Sequence, residues 1–97
     1  MTETLKMTNT ANVNWKELIQ YEMNFHDETF DDFVECTLTE EELMVYFNCS
    51  YGGYEGKPFT LWTTNRVYFP EGYDGAEGVR SVSRNPDGIP TYHVGGG

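Results

Sequence analysis

The stretch "FTLWTTNRVYF", Phe59–Phe69, decides the fold. It is dense in aromatic and β-branched residues, which fit a pleated, half-buried surface, and Pro58 and Pro70 bracket it. It reads as one long strand or as a hairpin turning at Thr64-Asn65, where polar residues interrupt the apolar run. Downstream, "PEGYDGAEG" (Pro70–Gly78) has loop composition. In "VRSVSRNPDGIPTYHV", Asn85-Pro86-Asp87-Gly88 separates two extended runs. Proline presets φ and Gly88 supplies a positive φ, so a second hairpin is expected there.

Upstream of this β half the period changes. Trp15, Leu18, Ile19 and Met23 recur at helical spacing. Asn14 is placed to cap that helix, with Glu17 completing a capping box, and the helix is expected to end near Asn24. Thr29-x-x-Asp32 resembles a second cap, and Phe30, Phe33 and Val34 share one helical face. The expectation is a short helix over 29–35 that hands over to extended chain near Cys36, with a strand as the alternative, since Val34, Cys36 and Leu38 alternate with Glu35, Thr37 and Thr39. Leu43, Val45, Phe47 and Cys49 alternate with Met44, Tyr46, Asn48 and Ser50, a strand pattern and the expected one, with a helix started by Thr39-x-x-Glu42 at Glu40 as the alternative. "YGGYEGKP" reads as a glycine-rich loop, residues 1–13 as a loose arm, and 95–97 as a loose tail.

These elements imply one α+β domain over 1–97, with one or two N-terminal helices packed on an antiparallel β-sheet of three to five strands. The expected core is Trp15, Leu18, Ile19, Phe30, Phe33, Val45, Phe47, Leu61 and Val67. At 97 residues a single modest core is feasible. The apolar fraction of 38% is low, but with 15% aromatic residues the chain can bury enough area to fold. An acidic disordered segment has few aromatics.

Charge is the other strong signal. Sixteen acids stand against six lysines and arginines, a net charge of −10. "HDETFDDFVECTLTEEE", His26–Glu42, holds eight carboxylates and no lysine or arginine. Such a field repels nucleic acids and anionic membranes and attracts basic proteins. Direct nucleic-acid binding is therefore not expected. No apolar run approaches a membrane span of about 20 residues, and "MTETLKMTNTANVN" lacks the apolar core of a signal peptide. A cytoplasmic protein, monomeric when free, with Cys36 and Cys49 as free thiols, is expected.

Catalytic and metal patterns are weak. Only His26 and His93 are available as bases, and no strained nucleophile turn of the G-x-S-x-G kind is present. "DETFDDFVECTL" departs from a calcium loop at its sixth position, Asp32 instead of glycine, and at its twelfth, Leu38 instead of glutamate. The cysteines lack zinc-ligand spacing. No enzymatic activity and no cofactor are expected.

As a plain helix surface the acidic run is unfavourable, because Glu28/Asp32 and Asp31/Glu35 are like-charge pairs costing about 0.2–0.5 kcal/mol each. Carboxylates on strands and helices stand about 5–7 Å apart, a spacing that suits lysines and arginines built to grip phosphates. "YEMNFHDETFDDFVECTLTEEE", Tyr21–Glu42, together with the small size and the missing signal peptide, resembles the small acidic inhibitors encoded by phages. Among these it most resembles the DNA-mimicking anti-CRISPR proteins that block the DNA-binding cleft of a type I surveillance complex. The resemblance implies a non-enzymatic inhibitor acting in the cytoplasm of an infected or lysogenic bacterial host. Its partner would be a basic nucleic-acid-binding protein or complex, with Cas proteins favoured. The contact it implies falls on Glu22, Asp27, Glu28, Asp31, Asp32, Glu35, Glu40, Glu41 and Glu42, with Tyr46, Tyr54, Tyr73 and Asp74 as a secondary rim. An antirestriction or immunity-type inhibitor of a basic nuclease, a small metal-binding protein or enzyme, and an acidic surface kept only for solubility are the alternatives.

Overall fold

A computed structural model describes residues 12–48, 55–73 and 76–95. The element order is β1 (Asn12–Val13), α1 (Trp15–Asn24), a 3-10 turn (Phe30–Asp32), β2 (Phe33–Cys36), α2 (Glu40–Leu43), β3 (Phe47–Asn48), β4 (Leu61–Thr63), β5 (Arg66–Tyr73) and β6 (Ala76–Ser83). Strands β2-β4-β5-β6 form an antiparallel sheet in that order, and β1 pairs with β3 in a small second ladder. The fold is α+β, with few helices against antiparallel sheet. No helix among the described residues is long and apolar enough to cross a membrane.

Phe59–Phe69 resolves as a hairpin: Leu61 pairs with Tyr68 and Trp62 with Val67, so the chain turns at Thr64-Asn65. The loop expected over 70–78 is instead the far half of a second hairpin, running from Arg66↔Ser83 to Tyr73↔Ala76. Pro70 is tolerated inside β5 because β4 reaches only Val67 and Tyr68; beyond them no strand among the described residues pairs with that side of β5, where a missing N–H costs little. The hairpin expected at 85–88 does not form. Gly88 does take φ 74, but residues 84–95 are in no strand.

Helix α1 starts where expected. The Asn14 side chain accepts from the Glu17 N–H at 2.8 Å, while the Glu17 carboxylate takes the Tyr46 hydroxyl instead of closing the box. Trp15, Ile19 and Met23 pack with Leu43, Phe59, Leu61, Tyr68 and Val79 in the core. Trp15 sits between Phe47 and Phe59, each ring centroid 4.8 Å away, and its Nε1–H donates to the Lys57 carbonyl at 3.0 Å. Gly56 lies against this indole: a Cβ there would stand 2.5 Å from Trp15 Cζ2. Gly56→Ala should therefore cost about 1–3 kcal/mol by forcing the ring to move, measurable by urea denaturation.

The acidic segment departs from the expected helix. Its helical part is one 3-10 turn, and Phe33 already has extended geometry at φ −59, ψ 135. Pairing with β4, extended by Thr37 N–H to Thr60 O and Thr64 N–H to Asp32 O, satisfies this backbone as a ladder, and it avoids the like-charge Asp31/Glu35 helical pair. A register shift between Phe33 and Glu35 leaves Phe33 and Val34 exposed, so Phe33 is not core. Val45 is also exposed. The strand expected from Leu43 gives way to α2, whose Thr39 cap satisfies the turn locally, and only Phe47–Asn48 pair. Cys49 lies outside the described residues. Val67, opposite Trp62, alternates with buried Tyr68 and so faces away from α1, half-buried. Leu18, Phe30 and Phe47 pack at the core margin.

Candidate functional site

Two threonines organise the acidic segment. Thr29 and Thr39 each cap a short helical turn, and each closes a reciprocal capping box with the acid three residues on, Asp32 and Glu42. Asp32 Oδ2 accepts from the Thr29 N–H at 3.0 Å, and Glu42 Oε1 accepts from the Thr39 N–H at 2.9 Å. The acids of these first turns meet the positive end of the peptide dipoles. The Thr39 N–H first, and Lys57 second at 2.9 Å, hold the Glu42 carboxyl below its ordinary range. Glu40 pairs with Lys16. Asp27, Asp31, Glu35 and Glu41 are exposed, and among the described residues their carboxylates have no hydrogen-bond or ion-pair partner.

Two acids assigned to this face are not on it. Glu22 is 8% exposed and Glu28 is 5% exposed. After α1 the chain reverses through Asp27, at φ 57, and the Glu28 N–H donates to Met23 O at 3.1 Å. This left-handed helix ending turns Glu28 under the helix, where its carboxylate accepts from Tyr68 OH at 2.7 Å and from Thr63 Oγ1 at 2.8 Å. Glu22 is buried because it follows Ile19 by three residues and Trp15 by seven, which places it on the same buried side of α1. Its Oε2 accepts from Ser81 Oγ at 3.0 Å and lies 3.0 Å from His26 Nε2. Arg66 closes the chain, donating through Nε to Ser81 Oγ at 2.8 Å. No buried side-chain polar atom among the described residues lacks a partner.

The assigned acids that remain at the surface are Asp27, Asp31, Asp32, Glu35, Glu40, Glu41 and Glu42. Of the rim, Tyr46 is 60% exposed and Tyr73 is the last residue of β5. Tyr54 and Asp74 lie outside the described residues. Chemically the face can attract and orient cations. Among the described residues no three His, Cys, Asp or Glu side chains come together to hold a metal ion. Cys36 is half-buried, and that burial raises its thiol pKa, which disfavours a nucleophilic thiolate.

One surface feature escaped the charge-centred reading. Tyr21 on α1 and Phe25 at its C-cap stand exposed, their rings edge-to-face with centroids 5.2 Å apart, and Met44 and Tyr46 are exposed after α2. The signal was present as an i, i+4 aromatic pair off the core stripe of α1. Comparisons with protein-family models, curated proteins and solved structures return no match for this chain.

Proposed function

We propose that this protein is a non-enzymatic, stoichiometric inhibitor that presents an anionic face to the basic nucleic-acid-binding groove of a protein complex. A CRISPR–Cas surveillance complex is the target that its resemblance to DNA-mimicking inhibitors implies. The observation that carries the reading is the set of unpaired, exposed carboxylates on Asp27, Asp31, Glu35 and Glu41, along a chain segment, 27–48, without a lysine or arginine. Capping and ion pairs account for Asp32, Glu40 and Glu42, and burial accounts for Glu22 and Glu28. The carboxylates of the four that remain hold no partner among the described residues, so they are free to meet a cationic groove, and long-range attraction speeds its association.

The test is displacement of target duplex DNA from a purified type I surveillance complex at increasing salt. The expected result is one-to-one competition that weakens as salt rises. Combined Asp31→Lys, Glu35→Lys and Glu41→Lys substitution should weaken it about hundredfold and leave the urea midpoint near wild type, since none of these side chains is packed. No competition at stoichiometric excess refutes this target. Competition instead with DNA on a basic nuclease moves the reading to the antirestriction class.

A further inference from the structure

The outer strip of α1 is lined for contact. Glu17, Gln20, Tyr21 and Asn24 recur at i, i+3, i+4 and i+7, opposite the buried stripe of Trp15, Ile19 and Met23. With Phe30, Met44 and Tyr46 they wall an open groove of about 540 Å³. Tyr21 is 65% exposed, and Met44 and Tyr46 are exposed with it. Large aromatic and thioether side chains left open beside a concave surface are the groups that anchor protein interfaces. Methionine, in particular, adapts its shape to an apolar partner.

The charge around the groove selects the partner. Glu17 lines it, and Glu40 and Glu41 lie on the turn that leads into Met44. The lysine in the lining, Lys16, is held by Glu40 and lies with its Nζ 5.2 Å above the Phe30 ring centroid. Three acids against one paired lysine leave the rim anionic. The strip spans eight residues of α1, seven steps or about 10 Å at 1.5 Å per step, which matches two turns of a helix laid along it.

We propose that this groove docks a basic amphipathic helix of a partner protein, its apolar side on Tyr21, Met44 and Tyr46 and its lysines or arginines against Glu17, Glu40 and Glu41. The inference rests on the reading above only in taking the partner to be basic; it adds an apolar anchor that charge mimicry does not need.

The probe is a synthetic peptide of lysine and leucine, about 18 residues, with leucines at helical spacing. A scrambled peptide of equal composition and an oligolysine of equal length serve as comparators, with binding measured by calorimetry. The amphipathic peptide is expected to bind wild-type protein about tenfold tighter than the scrambled one. The double variant Tyr21→Ala/Met44→Ala is expected to lose that margin while binding oligolysine like wild type. Amide NMR shifts on wild-type protein provide a second measurement that needs no variant: they should move at Gln20–Asn24 and Met44–Tyr46. Equal affinity for the amphipathic and scrambled peptides overturns the proposal, as does a margin that survives in the variant or an absence of shifts in those two segments. Oligolysine binding that ignores reversal of Asp31, Glu35 and Glu41 instead counts against the anionic-face reading alone.

Discussion

Trp15→Ala is expected to lower the free energy of unfolding by about 3–5 kcal/mol. The indole is 2% exposed, touches Phe47 and Phe59 on its two sides and covers Gly56, and it ties α1 to the 56–59 segment through its bond to Lys57 O. Natural domains of this size hold about 5–15 kcal/mol in all, so the variant should be largely unfolded at modest urea concentrations. Trp15→Phe keeps most of the apolar contact and loses the N–H donor, which should cost about 1–2 kcal/mol. Urea titrations followed by far-UV circular dichroism measure both, and Trp62 remains as a fluorescent reporter. A loss below about 1 kcal/mol for Trp15→Ala would mean that the three rings do not form one cluster.

Where sequence alone located structure correctly, the governing chemistry was local. The Asn14 cap, the Trp15–Ile19–Met23 stripe and the Thr64-Asn65 turn each depend on neighbours within a few residues, and each formed. Where it misled, the outcome depended on a partner far along the chain. Pro70 and Gly72 have loop composition, yet β6 supplies a ladder that holds them extended. Asn85–Gly88 has turn chemistry, and Gly88 adopts the positive φ, but no strand comes back to pair. Thr29–Glu35 satisfied a helix pattern until β4 offered its edge to Phe33–Cys36.

The candidate site follows the same rule. Counting carboxylates gave one acidic face, but the left-handed backbone at Asp27 and the position of Glu22 on α1 sent two of them inward. Nothing in a list of acids records which way a helix ending turns the next side chain. Of the acids left outside, Asp32, Glu40 and Glu42 are held by caps or lysines, while Asp27, Asp31, Glu35 and Glu41 have no such partner among the described residues. The aromatic pair Tyr21–Phe25 was legible by spacing, but its exposure became clear only once the opposite stripe was seen to fill the core.

Glu28→Ala is expected to destabilise the protein by about 2–4 kcal/mol, even though it removes a buried charge. The Glu28 carboxylate is bonded by the neutral hydroxyls of Tyr68 and Thr63, and both of these donors are buried. Without its acceptor the Tyr68 hydroxyl is left unsatisfied at about 1–3 kcal/mol, and the cavity left by the missing side chain adds to the cost. Glu28→Gln should cost under about 1.5 kcal/mol, because the amide oxygen can still accept from Tyr68. Thr63 Oγ1 already lies 3.3 Å from Arg66 O and can turn its proton there. The same contacts set an alkaline limit. Burial first, then the hydrogen bond to Glu28, holds the Tyr68 phenol above the usual tyrosine range. The folded state therefore keeps a proton that the unfolded chain releases near pH 10. A group whose folded pKa is raised contributes stability that is intact below its unfolded pKa and lost above it. Unfolding free energy should accordingly be insensitive to Tyr68 up to about pH 9, then fall above pH 10 by up to about 1.4 kcal/mol per unit. Urea titrations from pH 8 to 11 on wild type and Tyr68→Phe separate this contribution, since the variant should lack one proton's worth of the alkaline slope. Equal slopes in the two proteins would show that Glu28 and Tyr68 are not joined in the folded state.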